Sequence, residues 1–152
     1  MAANVKPIPE GFHTVTPYLV IPQAAKLIDF LKQAFDATEI SRMMRPDGTV
    51  HHAEVKIGDS IIMMGEAEDP ASMRPGALYL YVPDVDATYR RAVEAGAISL
   101  SEPADMFYGD RGGGVKDASG NTWWIGTHVE DVAPEELEKR AAAAAAKRAA
   151  KG

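Results

Sequence analysis

Residues 18–22 read Tyr18-Leu19-Val20-Ile21-Pro22, and residues 79–83 read Tyr79-Leu80-Tyr81-Val82-Pro83. Each residue of the second run stands 61 positions after its counterpart in the first. Amphipathic helical spacing follows each run, and strand-like segments follow each helix. Val55-Lys56 precedes a Gly-Asp-Ser turn, as Val115-Lys116 precedes Ala118-Ser119-Gly120. An internal repeat of this length means that one supersecondary unit was used twice. Two similar halves commonly enclose something between them, which is where function is first sought.

Working outward, the first half reads as strand His13–Ile21, then a helix with apolar residues at Ala24, Leu27, Ile28, Leu31, Ala34 and Phe35. That three-and-four spacing is the stripe of a helix lying on a core. Strands are expected over 37–44, 50–57 and 60–64, with turns at Arg45-Pro46-Asp47-Gly48 and Gly58-Asp59. The second half repeats the order: strand 77–82, Asp84 as a helix N-cap, a buried stripe of Val85, Tyr89, Ala92 and Val93, and Gly96 to end the helix. A strand over 97–100, the glycine-rich run Tyr108–Gly114 and a last strand over 121–128 complete it. The expected organisation is an arm over 1–12, a βαβββ module over 13–65, a linker over 66–76, a second module over 77–129 and a tail over 130–152. The tail is alanine-rich, with acids near its start and Lys147, Arg148 and Lys151 near its end, so a helix burying little is expected.

The 152 residues carry a formal net charge of −6, 46% apolar residues and no cysteine. Disulfides, thiolate metal sites and cysteine nucleophiles are therefore excluded. An acidic chain without a basic face does not fit nucleic acid, and no apolar run reaches the roughly 18 residues of a membrane span. With no apolar leader at its start, a cytoplasmic protein is expected. The run from Gly109 to Gly114 lacks the lysine-serine ending of a phosphate loop and opens a strand rather than a helix. It reads as a loop bending over a cavity mouth.

A duplicated βαβββ unit of this size resembles the vicinal oxygen chelate superfamily (glyoxalases, bleomycin resistance proteins, fosfomycin resistance enzymes and extradiol dioxygenases). Thr16-Pro17-Tyr18-Leu19, His52-Ala53-Glu54-Val55, Tyr108-Gly109-Asp110-Arg111 and Gly120-Asn121-Thr122-Trp123 are similar to its PhnB-like branch. The resemblance implies an α+β fold, two βαβββ modules forming an open curved barrel around a cavity, commonly in a homodimer. It also implies metal-ligand positions at Thr16, Met63, Ala77 and Trp124. None of these is an imidazole or carboxylate, and divalent ions in such sites need oxygen and nitrogen donors, so no metal is expected there.

Side chains alternate across a strand. Stepping by two from those positions puts Thr16, Tyr18, Val20, Ala77, Tyr79, Tyr81, Ile61, Met63, Thr122 and Trp124 on one face. Leu19, Ile21, Leu78, Leu80, Val82, Ile62, Met64, Trp123 and Ile125 fall on the other, the helix-packing face. The aromatic set, joined by Phe107, Tyr108 and Arg111, forms the candidate ligand site, unless the rings merely fill a collapsed core. A small aromatic or apolar molecule is the ligand class such a surface favours. Arg111 is available for an anionic ligand group or for an ion pair with Asp110 or Asp105. His52 and Glu54, two apart on one strand face, are candidate base and orienting carboxylate, half of a displaced metal site, or a structural hydrogen bond. Two functions follow: a metal-free binding protein of the sequestration or resistance type, or a metal-dependent lyase, dioxygenase or transferase with non-standard ligands, drawn from His52, Glu54, His13 or His128.

Overall fold

The computed structural model describes residues 4–152; Met1–Ala3, the first part of the expected arm, lie outside the described residues. The first module contains β1 (Tyr18–Ile21), α1 (Ala24–Phe35), β2 (Thr38–Met44), β3 (Val50–Ile57) and β4 (Ser60–Glu66). The second contains β5 (Ala77–Tyr81), α2 (Val85–Glu94), β6 (Ile98–Asp105), β7 (Asp110–Lys116) and β8 (Thr122–His128). A C-terminal helix, α3, runs over Pro134–Ala150. The sheets have the matching orders β1-β4-β3-β2 and β5-β8-β7-β6. Tyr18 pairs with Met63 and Tyr79 with Trp124, so the 61-residue offset is kept in the register itself. This is the expected α+β architecture of two βαβββ modules, with both sheets open.

The repeat extends to how each helix begins. Glu66, at the end of β4, accepts the amides of Gln23 and Ala24 at 2.8 Å, satisfying donors that the first helical turn leaves free. Its counterpart 61 residues on, Thr127, accepts the amide of Val85 at 2.9 Å, and Asp84 caps the same helix through Ala87 at 3.1 Å. All six apolar residues of the α1 stripe are buried. In α2, Thr88 is buried beside Val85 and Ala92, while Val93 turns outward at 40% exposure. The α2 stripe is thus rotated from the expected one, with Thr88 rather than Val93 on the buried side.

Each helix lies on one face of its own sheet, and α1 also packs on α2. Phe35 of α1 meets Trp123 of β8 with ring centres 5.3 Å apart, so the two modules share one continuous core. A buried carboxylate fixes the last turn of the second module. Asp117 accepts the Ser119 and Asn121 amides, the Asn121 side-chain amide and the Trp123 indole N–H, all within 3.0 Å. Ser119 Oγ then donates to the Pro22 carbonyl at 2.7 Å, tying this turn to the first module.

Three further expectations change. The first strand begins at Tyr18, not His13, because Thr16 folds back to donate to the His13 carbonyl and Pro17 donates nothing. The strand begun at 97–100 continues to Asp105 through Pro103; β6 is the sheet's edge, and its register slips between Ser101 and Ala104, which is where proline is tolerated. The glycine run is the third change. Gly112, Gly113 and Gly114 are not a loop but the buried middle of β7, paired to Gly126, Ile125 and Trp124.

Candidate functional site

The sheet faces that carry no helix are open. In the second module, β5 contributes Tyr79 and Tyr81, β8 contributes Trp124 and His128, and β7 contributes Asp110, Gly112 and Gly114. Two glycines, Gly114 and Gly126, are required by the aromatic rings. A Cβ on Gly114 would overlap the six-membered ring of Trp124, and one on Gly126 would overlap the Tyr79 hydroxyl. Rings therefore lie flat across the sheet, with Trp124 40% and Tyr81 67% exposed. The first module repeats this device more loosely: a Cβ on Gly65, 61 residues before Gly126, would come within 3.3 Å of the Tyr18 hydroxyl.

One carboxylate organises this face. Asp110 is 4% exposed, and its Oδ2 accepts the hydroxyls of Tyr79 at 2.9 Å and Tyr81 at 3.1 Å. Its Oδ1 accepts from His128 Nδ1 at 2.8 Å, and His128 Nε2 donates in turn to Asp131 at 2.7 Å. Burial pushes the Asp110 carboxyl up, but the bonds from His128, Tyr79 and Tyr81 outweigh it and hold it below its ordinary value. The hydrogen bonds to Asp131 and Asp110 raise the His128 imidazole, and burial together with the Asp110 carboxylate raises the Tyr79 phenol. With both tyrosine hydroxyls turned inward onto Asp110, the rings present their apolar faces outward.

The sequence-derived candidates divide into three groups. Tyr79, Tyr81 and Trp124 stand together on this face. Phe107 and Tyr108, packed edge-on with ring centres 5.3 Å apart, are brought beside it by the β6–β7 turn, where Gly109 adopts a φ of +100°. Tyr18, Met63, His52 and Glu54 form a second group on the first sheet. His52 Nε2 lies 3.3 Å from Glu54, its Nδ1 lies 3.5 Å from the Tyr18 hydroxyl, and Glu54 pairs in register with Met63. Arg111 belongs to neither group. It points to the helix side, where Asp86 of α2 takes it in a two-pronged pair at 2.8 and 2.9 Å and Asp105 adds a contact at 3.3 Å. Of the two carboxylates expected as its partners, Asp105 is one, whereas Asp110 lies on the opposite face.

Sequence reasoning missed Asp131, took Asp110 only as a partner for Arg111, and weighed His128 only as a possible metal ligand sharing the parity of Trp124. Reading the glycine run as a loop kept the two-residue period from being carried into β7, where it separates Asp110 from Arg111. A groove of about 1200 Å³ runs along the outer edge of β5 between the two modules, bordered by Tyr18, Ile62, Leu78, Tyr79, Leu80 and Arg91. Among the described residues, no group of three or more His, Asp or Glu side chains is gathered to hold a metal ion, and no helix is long and apolar enough to cross a membrane.

Comparison with known proteins places this geometry. Residues 11–125 match the profile of the Glyoxalase/Bleomycin resistance protein/Dioxygenase superfamily. An uncharacterized protein of Mycobacterium tuberculosis (strain H37Rv) is 36% identical over 149 residues, covering 91% of this chain and 84% of that protein. The crystal structure of TioX from Micromonospora sp. ML1 superposes with a TM-score of 0.66 at 24% identity, covering 77% of this chain and 99% of that one. The fosfomycin resistance protein FosX from Mesorhizobium loti gives a TM-score of 0.58 at 15% identity, covering 76% and 91%. The match over most of the chain, on a fold that these structures share, shows that the chain belongs to the glyoxalase/bleomycin resistance protein/dioxygenase superfamily.

Proposed function

We propose that this protein binds a small aromatic or apolar organic molecule without a metal, in the manner of a sequestering or resistance protein. The observation that carries the reading is the aromatic platform of Tyr79, Tyr81 and Trp124, seated on Gly126 and Gly114 and anchored by buried Asp110. Exposed rings fixed in place lose little freedom on stacking a ligand, which favours binding. The positions that the family uses for metal carry a methyl, a hydroxyl, a thioether and an indole (Ala77, Thr16, Met63 and Trp124), a donor set that does not fit a divalent ion. The motifs shared with the PhnB-like branch fit the same reading.

A homodimer is part of the proposal. Tyr18, Met43, Tyr79, Tyr81 and Trp124 are each at least 40% exposed on helix-free faces, more apolar surface than a lone soluble chain usually leaves open. A second copy laid over these faces would turn each into the wall of an enclosed site. A metal-dependent enzyme is the second reading, and the contact between His52 and Glu54 at 3.3 Å is what favours it.

Fluorescence titration tests the first reading. Trp124 is 40% exposed and Trp123 fully buried, so aromatic ligands are expected to quench wild-type emission saturably and to lose that effect in Trp124→Phe but not in Trp123→Phe. No saturable response across a broad aromatic library would overturn it. Elemental analysis separates the readings: one bound zinc, nickel, manganese or iron per chain, lost in His52→Ala, would overturn the metal-free reading.

A further inference from the structure

We propose that His128 is the anchoring cation of a carboxylate subsite at the rim of the aromatic face, and that Asp131 fills it as a tethered plug. The ligand class of the binding protein proposed above, on which this rests, then narrows to aromatic monocarboxylates.

Both ring nitrogens of His128 contact carboxylates, at 2.8 Å to Asp110 and 2.7 Å to Asp131. An ionised carboxylate only accepts, so both nitrogens donate, whichever way the ring is turned, and His128 is an imidazolium. Its two partners differ in kind. Asp110 is buried and saturated by three donors, so it stays. Asp131 has a fully exposed side chain whose one hydrogen bond among the described residues is to His128.

The backbone shows that Asp131 can leave at little cost. Val129 and Glu130 donate to the Gly109 carbonyl at 2.9 and 3.0 Å, which pins the chain before Asp131. The neighbouring acid, Glu130, is engaged by Arg140 of α3 at 2.8 and 2.9 Å, so its charge is compensated. Asp131 is therefore a carboxylate on a short side chain, resting on a cationic N–H at the edge of an aromatic platform. A free carboxylate of the same geometry can take its place on the imidazolium, keeping that ion pair intact while Asp131 turns into solvent. Tyr81, whose hydroxyl meets the same Asp110, offers an exposed ring to the body of such a molecule.

A tethered group competes through its effective concentration. If the plug is seated about three-quarters of the time, it weakens the apparent affinity of an outside carboxylate about fourfold. The test uses benzoate and its neutral analogue benzyl alcohol on the full chain, wild type and Asp131→Ala, read by Trp124 fluorescence and by the His128 ring resonances in NMR. Benzoate is expected to shift the His128 resonances and to bind about fourfold more tightly to Asp131→Ala. Benzyl alcohol should bind both proteins alike. Equal behaviour of the two ligands, or His128 resonances unmoved by benzoate, would overturn the subsite while leaving aromatic binding intact. Benzoate shifting His128 with no quenching of Trp124 by either ligand would instead uphold the subsite and sink the aromatic-face reading.

Discussion

A single methyl group at Gly126 tests whether the aromatic platform is built as described. The backbone there does not need glycine for its torsions, and replacing glycine by alanine in a strand normally stabilises by about 0.5–1 kcal/mol. Here the new Cβ would overlap the Tyr79 hydroxyl and come within 3.0 Å of its Cε1. Tyr79 must then swing away and give up its bond to Asp110, a charge-assisted bond contributing about 1.5–3 kcal/mol. The larger effect wins, and Gly126→Ala is expected to destabilise by about 1–2 kcal/mol. In a domain of this size that lowers Tm by about 2–8 °C. The assay is urea unfolding of a double-mutant cycle with Tyr79→Phe. In the phenylalanine background the bond is already gone, so the alanine should cost within about 0.5 kcal/mol of nothing, giving a coupling of about 1–2 kcal/mol. A neutral or stabilising Gly126→Ala in the wild-type background, or a coupling of zero, would refute the reasoning.

Gly114→Ala is expected to displace the Trp124 ring, changing its emission and weakening aromatic binding at least about threefold, with stability altered by under about 1 kcal/mol because the ring is already partly exposed. Asp117→Ala strands the buried Trp123 indole N–H and Asn121 amide, so a loss of about 3–5 kcal/mol is expected in urea unfolding; a loss under about 1 kcal/mol would show the turn is not held as described. The site also predicts a stability maximum in pH. The His128 imidazole is raised, so its contribution is fully present below the ordinary 6.5 and lost as pH climbs through the raised value. The Asp110 carboxyl is lowered, so its contribution is present above the ordinary 3.8 and lost as pH falls through the lowered value. His128→Asn should flatten the alkaline side of the Tm profile, and an unchanged profile would count against the ion chain.

How much was legible in the sequence depended on the range of each interaction. The apolar spacing of Ala24 to Phe35 and the turn at Gly58-Asp59 are local, and both appear where expected. The two-residue period separated Leu19, Ile21, Trp123 and Ile125, all buried, from Tyr18, Tyr79, Tyr81 and Trp124, all exposed. Where a local signal had two meanings, it misled. Glycines at 112–114 read as a bend, but Gly114 leaves room for the Trp124 ring of β8, and Gly113 for the close approach of the β6 backbone at Ser101 and Pro103.

The sequence by itself determined the doubled βαβββ fold, because a 61-residue echo and strand parity are written in the order of residues. Only the tertiary structure decided which carboxylate serves which partner. Asp110 and Arg111 are neighbours in the chain, yet the pleat turns one to Tyr79, Tyr81 and His128 and the other to Asp86 on α2. Composition cannot distinguish a lone acid beside an arginine from a buried anchor for two tyrosines. The pairing depends on which strand lies next to which, and that is settled only when the sheet forms.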